Sequence, residues 1–169
     1  SSNCAGGILY YDYGLEFKSP TINLFLENED FIWLCEHIDI LDRLSLREDK
    51  ENEDRYPIGI LGKSKIHFLH YKSFYEANLK WEKRKQRIDY KNICILFVER
   101  EKLTALQWNR FNNLPYKKLI ITPYRKETNG VVYIPYKELD SLFHFCGFSG
   151  KRKYEKYIGI DMLINLKKD

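Results

Sequence analysis

The densest polar signal in the chain is Ser2-Asn3-Cys4-Ala5-Gly6-Gly7, a thiol set between an amide side chain and two glycines. A cysteine works as a nucleophile when it is exposed, when amide donors face the oxyanion that forms, and when a base lowers its pKa. A flexible turn of this composition supplies the first two, since Gly6-Gly7 permits a sharp bend or a close backbone approach. For the base, Ile66-His67-Phe68-Leu69-His70-Tyr71 offers two histidines. Successive strand side chains point to opposite faces, so His67 and His70 do not share one, and at most one of them meets Cys4. His70 is preferred because it lies at the strand end beside a helix start at Ser73, where parallel sheets place their sites. Asp12 and Glu16 are both candidates for the acid that orients the imidazole, and spacing does not choose between them.

A second group sits on a basic segment carrying Lys80, Lys83, Arg84, Lys85 and Arg87. At ~3.6 residues per helical turn, Lys80, Arg84 and Arg87 lie along one side, which places Arg84 and Arg87 to grip one phosphate or carboxylate. The plainer reading is a solvated face with Glu76 and Lys80 as an ordinary i, i+4 pair. The 13 tyrosines, with Tyr10, Tyr11 and Tyr13 close to Cys4, suit stacking on sugar rings or bases, or simply packing. There is no Gly-x-Gly-x-x-Gly, no Gly-x-x-x-x-Gly-Lys-Ser/Thr and no zinc spacing, so no cofactor and no metal is implied.

The elements that must position these groups follow from periodicity. Segment 1–7 reads as a loop and 21–26 (TINLFL) as a strand. Asn28 is placed to cap a helix to about residue 44, because Phe31, Leu34, Cys35, Ile38 and Leu41 recur on one face and leave His37 on the polar side. Segments 56–61 and 65–70 read as a hairpin turning at Gly62-Lys63. Ser73-Phe74-Tyr75-Glu76 has the form of a capping box, opening a helix to about residue 88. Segment 92–98 (NICILFV) is apolar throughout, as in a strand covered on both faces, followed by a helix near 101–111 and a second buried strand at 118–122. Asn129-Gly130 marks a turn, 131–134 pairs or follows on, 136–145 reads as a helix, and Gly147–Gly150 as its cap and turn. This alternation predicts an α/β protein, a single layered domain whose central, mostly parallel or mixed sheet is flanked by helices.

Composition bounds the rest. The chain has 169 residues, 44% of them hydrophobic, a globular balance for a length that can bury a sizeable core. No apolar stretch approaches the ~18 residues of a membrane span. Four cysteines without a Cys-x-x-Cys pair, three of them within apolar periodic segments, point to a reducing, cytoplasmic setting. Twenty-eight basic against 24 acidic residues leave a net charge of +4, which speaks against nucleic acid as a partner.

Four ordered motifs, Ser-Asn-Cys-x-Gly-Gly-Ile-Leu-Tyr (2–10), Gly-Leu-Glu-Phe-x-Ser-Pro-Thr-Ile-Asn-Leu (14–24), His-Phe-Leu-His-Tyr-x-Ser-Phe-x-Glu-Ala (67–77) and Lys-Trp-Glu-x-Arg-x-x-Arg-Ile (80–88), resemble a known bacterial family. It is the domain of unknown function nineteen-nineteen, often labelled exopolysaccharide biosynthesis protein. The matching residues are Asn3, Cys4, Gly6, Gly7, Glu16, Ser19, Pro20, Asn23, His67, His70, Trp81, Arg84 and Arg87. The resemblance implies an α/β layered fold and a role in capsule or exopolysaccharide synthesis, and it brings no reaction with it. Joined to the residue chemistry, it suggests a transferase in which Cys4 takes an acyl group and His70 is the base. Ser2, Asn3, Gly6, Gly7, Ser19, Asn23, Tyr71, Arg84 and Arg87 would bind an anionic or diphosphate-linked sugar or polysaccharide precursor, in peripheral contact with membrane synthesis machinery. The rival is a non-catalytic carbohydrate-binding or assembly factor.

Overall fold

The computed structural model describes residues 1–125, 129–135, 139, 152–159 and 161–162. In chain order its elements are α1 (Ala5–Asp12), α2 (Asn28–Glu36), a 3-10 segment (Ile38–Arg43), β1 (Arg47–Glu48), β2 (Ile58–Leu61), β3 (Ser64–His67), α3 (Phe74–Lys85), β4 (Cys94–Val98), α4 (Ala105–Asn112), β5 (Lys117–Thr122), β6 (Val131–Tyr133) and a second 3-10 segment (Lys153–Lys156). The α/β architecture expected from the alternation of elements is present. Strands β4-β5-β6 form a parallel sheet, while β1-β2-β3 form a separate antiparallel one.

The parallel sheet explains why β4 is apolar at every position. Ile95, Phe97, Ile120 and Val131 face one cluster, which takes in Phe31 and Leu34 of α2, Trp81 of α3 and Phe111 of α4. Leu96, Val98, Leu119, Ile121 and Val132 face the other, against Ala5 and Leu9 of α1 together with Tyr154 and Ile158. Consecutive residues thus feed opposite cores, and the buried polar residues of β5 are each bonded, Lys118 to the Leu114 carbonyl and Thr122 to Glu99.

Ser2 joins the two sheets. Its N–H donates to the Leu96 carbonyl (3.2 Å) and its own carbonyl accepts from Leu26 N–H (3.1 Å). Its hydroxyl accepts from Val98 N–H at 3.1 Å, taking the place its carbonyl would hold in a parallel ladder. Phe25 then exchanges both backbone bonds with His67 of β3 (2.9 and 3.1 Å). Hydrogen bonding therefore runs unbroken from one sheet through Ser2 to the other.

Several expectations are corrected. Segment 1–7 is not a loop, since helix α1 begins at Ala5 and contains both glycines. A Cβ at Gly6 would lie 2.6 Å from Ser1 Cβ, and one at Gly7 would lie 2.2 Å from Asn23 Oδ1. Close approach outweighs the poor helix propensity of glycine. Segment 21–26 is not a strand: Asn23 takes φ 55° and only Phe25 makes a bridge, to His67. The helix expected to 44 ends at Glu36, and the chain continues as 3-10 past His37, whose Nδ1 lies 2.7 Å from the Trp33 carbonyl. Asn28 opens α2 without capping it and donates instead to the Glu101 carbonyl (3.0 Å). Ser73 does cap α3, accepting from Glu76 N–H (3.3 Å). The reciprocal capping box forms elsewhere, between Thr104 and Gln107, so α4 starts later than 101. The β2-β3 hairpin turns at Gly62 as expected, with φ 60°. Apart from Leu139, the helix expected at 136–145, the turn at 147–150 and Cys146 lie outside the described residues.

Candidate functional site

Cys4 occupies the N-cap of α1, a position fixed by its neighbours rather than by its own side chain. Asn3 Oδ1 accepts from Ala5 N–H (3.0 Å) and Ser1 Oγ from Gly6 N–H (3.3 Å). The thiol is left free to turn outward, half-buried, at the positive end of the helix. His70 stands opposite, with Nε2 3.6 Å from Cys4 Sγ. It lies in the turn between β3 and α3 and not on the strand, which ends at His67. Burial pushes the Cys4 thiol up, while its own backbone amide and the charge of Arg100 pull it down.

The other histidine is elsewhere. His67 packs its ring on Phe25 and Tyr56, and its Nδ1 lies 3.4 Å from the Tyr56 hydroxyl. Neither candidate acid reaches His70. Asp12, at the far end of α1, accepts from Arg152 (2.7 Å) and from the Tyr154 hydroxyl (2.7 Å), which together with burial pushes the Tyr154 phenol well up. Glu16 lies 3.5 Å from Arg87 on the surface.

The basic helix grips backbone instead of a free anion. Arg84 donates to the Ile22 carbonyl (3.2 Å) and to the Tyr71 hydroxyl (3.0 Å), and Arg87 to the Phe17 carbonyl (3.3 Å). These bonds tie residues 17–22 to α3, which ends at Lys85 and not near 88, and to the turn that follows it. Ser19 completes the segment, its hydroxyl accepting from Thr21 N–H (3.3 Å). The same segment presents Asn23 to Gly7, so Arg84 and Tyr71 set the seat of α1 and, through it, Cys4. Ser2, Gly6, Gly7, Ser19, Asn23, Tyr71, Arg84 and Arg87 are thus engaged in packing or internal bonds.

Sequence reasoning missed two features at the carboxyl end of β4. Glu99 is fully buried and accepts from Leu103 N–H (2.7 Å), Thr122 Oγ1 and Arg125, whose guanidinium also lies over the Trp108 ring at 4.2 Å. A carboxylate ending an apolar strand was the available signal. Beside it opens a cleft of about 510 Å³, lined in part by Asn3, Phe25, Glu27, Val98, Arg100 and Thr104. Nothing local in the sequence joins those positions.

These observations define a mixed α/β protein with a thiol–imidazole pair at a helix N-terminus, next to a cleft at the edge of a parallel sheet. The family model described as domain of unknown function (DUF1919) matches residues 1–164, and the chain belongs to that family. It is also 31% identical over 163 residues to an uncharacterized protein of Haemophilus influenzae, the match covering 93% of this chain and 79% of the relative. Among the described residues, no helix is long and apolar enough to cross a membrane.

Proposed function

We propose that this protein is a cysteine-dependent acyltransferase acting on a precursor of a bacterial exopolysaccharide or capsule, on the cytoplasmic side of the synthesis machinery. The chemistry rests on one observation, the 3.6 Å approach of His70 Nε2 to Cys4 Sγ at the head of α1. The substrate class rests on the label carried by the family that the sequence motifs resemble. In the first half-reaction the Cys4 proton passes to His70 Nε2, and the thiolate adds to the donor carbonyl. The donor's leaving group then departs with that proton as the thioester forms. In the second, an acceptor hydroxyl gives its proton to His70 and attacks the thioester, and Cys4 leaves as thiolate and recovers the proton.

The test is the pH dependence of iodoacetamide labelling at each cysteine, resolved by peptide mass spectrometry, in the native protein and in His67→Ala and His70→Ala variants. Labelling of Cys4 should slow in His70→Ala and not in His67→Ala. Equal behaviour of all three proteins, together with full polymer production by a Cys4→Ala strain, sinks the proposal. A second reading, a non-catalytic carbohydrate-binding or assembly factor, is favoured by the burial that pushes the Cys4 thiol up and by the absence, among the described residues, of a carboxylate bonded to His70.

A further inference from the structure

His70 is an exposed side chain on a turn, and among the described residues Cys4 is its only hydrogen-bond partner. It follows Cys4 by 66 positions, and no helix or strand carries both. A base must lie within hydrogen-bond reach of the proton it takes, and a displacement of ~1 Å can cost about 10²-fold in rate. Groups outside the pair therefore have to hold the His70 turn and the head of α1 at a fixed separation.

Arg84 is bonded to the supports of both. Its Nη1 donates to the Tyr71 hydroxyl (3.0 Å) and to the Ile22 carbonyl (3.2 Å). That nitrogen carries two N–H groups, one for each acceptor, so the two supports meet at a single point. Tyr71 follows His70 directly. Its N–H donates to the Phe68 carbonyl (3.0 Å) and its ring meets Phe68 edge-on at 5.6 Å, so fixing the phenol fixes the turn. Ile22 precedes Asn23, whose Oδ1 lies 2.2 Å from where a Gly7 Cβ would stand. A little further on, Leu26 N–H donates to the Ser2 carbonyl (3.1 Å). Residues 22–26 thus bear on Cys4 through Ser2 before it and through Gly7 after it. Arg84 itself rides on α3, which the buried Ala77 and Trp81 anchor in the core. A site is held to tolerance when its supports are fixed to a rigid element of this kind.

We infer that Arg84 is the positioning residue of the Cys4–His70 pair: by bonding Tyr71 and Ile22 through one nitrogen, it sets the distance at which the imidazole meets the thiol. The inference rests on the pair chemistry proposed above. Arg84 hydrogen-bonds neither member of the pair and acts through their neighbours. Its loss lowers the fraction of molecules in which Nε2 can take the Cys4 proton and leaves the transfer itself unchanged.

The experiment follows iodoacetamide labelling of Cys4 and of the buried Cys35 against pH, by peptide mass spectrometry. It compares the native protein with Arg84→Met, Tyr71→Phe, His70→Ala and the double variants of the first two with His70→Ala. Arg84→Met should slow Cys4 labelling at pH 7 by most of the factor that His70→Ala does, about 10-fold or more. The pH of half-maximal labelling should rise towards the His70→Ala value. Tyr71→Phe removes one bond of the two and should move both quantities the same way by less. In the His70→Ala background neither substitution should change the Cys4 rate by more than twofold, since no imidazole is left to position. Cys35 reports on the fold: if Arg84→Met speeds its labelling, Tyr71→Phe with and without His70 decides. Native rates and profiles in both single variants, or the same loss with and without His70, overturn the inference. In either case a slow His70→Ala leaves the Cys4–His70 chemistry standing, whereas His70→Ala labelling like the native protein removes both.

Discussion

Gly7→Ala sets two opposite expectations against each other at a position that seats Cys4. Gly7 is the third residue of α1 and does not have a positive φ, so its backbone accepts alanine. Helix propensity alone then predicts a gain of up to ~1 kcal/mol. The tertiary structure predicts a loss, because the new Cβ would fall 2.2 Å from Asn23 Oδ1, 3.1 Å from Asn23 Cγ and 3.4 Å from Ile22 Cγ2. Overpacking of this kind costs about 1–3 kcal/mol, so the single variant should lose about 0–2 kcal/mol. Removing the obstacle should reverse the sign. Asn23 has φ 55°, a conformation that glycine adopts without strain, so Asn23→Gly clears the space and keeps the turn. In that background Gly7→Ala should stabilise by up to ~1 kcal/mol, giving a coupling of roughly 1–3 kcal/mol between the two positions. Urea unfolding followed by tryptophan fluorescence measures all four corners of the cycle, and thermal midpoints move about 2–4 °C per kcal/mol for a chain of this length. Effects that add to within ~0.5 kcal/mol would refute the close packing of α1 on residues 22–23, and with it the account of how Cys4 is placed.

Ser2→Ala removes the acceptor of Val98 N–H in the seam between the sheets and should destabilise by about 1–3 kcal/mol in urea unfolding, where an ordinary surface serine would cost almost nothing. Gly62→Ala faces φ 60° and a Cβ 2.2 Å from Trp33 Cη2, so it should lower the thermal midpoint by more than ~1 kcal/mol's worth, visible also in Trp33 fluorescence. The Arg110 guanidinium holds the Glu36 carboxyl below its usual range through bonds of 2.8 and 2.7 Å. A depressed acid contributes stability that is present above the unfolded carboxyl's pKa of ~4.3 and is lost as pH falls through the folded value. Native protein and Arg110→Gln should therefore differ in stability at pH 6–7 and converge towards pH 3; a gap independent of pH contradicts this. Tyr154 runs the other way, since burial and Asp12 raise its phenol. Its contribution is complete below pH ~10 and declines as pH rises further, an alkaline loss of stability that Tyr154→Phe should abolish.

Much of the fold was legible because its signals are local. The unbroken apolar run of β4, the paired strands around Gly62 and the Ser73 cap each depend on residues within a few positions of one another. Strand parity does not separate His67 from His70, because β3 ends at His67 and it is the turn after it that sets His70 beside Cys4. The role of Ser2, the helical path through Gly6 and Gly7 and the pairing of Asp12 with Arg152 and Tyr154 were not legible. Each depends on a contact with residues far away in the chain. The same holds for Arg84 and Arg87, which read as anion ligands by charge and spacing but find backbone carbonyls at Ile22 and Phe17. The sequence by itself determined α2, β2, β3, α3, β4, α4 and β5, apart from their ends, and which thiol and imidazole stand out, since periodicity and residue chemistry act over a single turn or pleat. Only the tertiary structure decided which polar groups are already satisfied and which, like Asn3 Nδ2, are left over, because a hydrogen bond is settled by whichever partner the folded chain brings within ~3 Å.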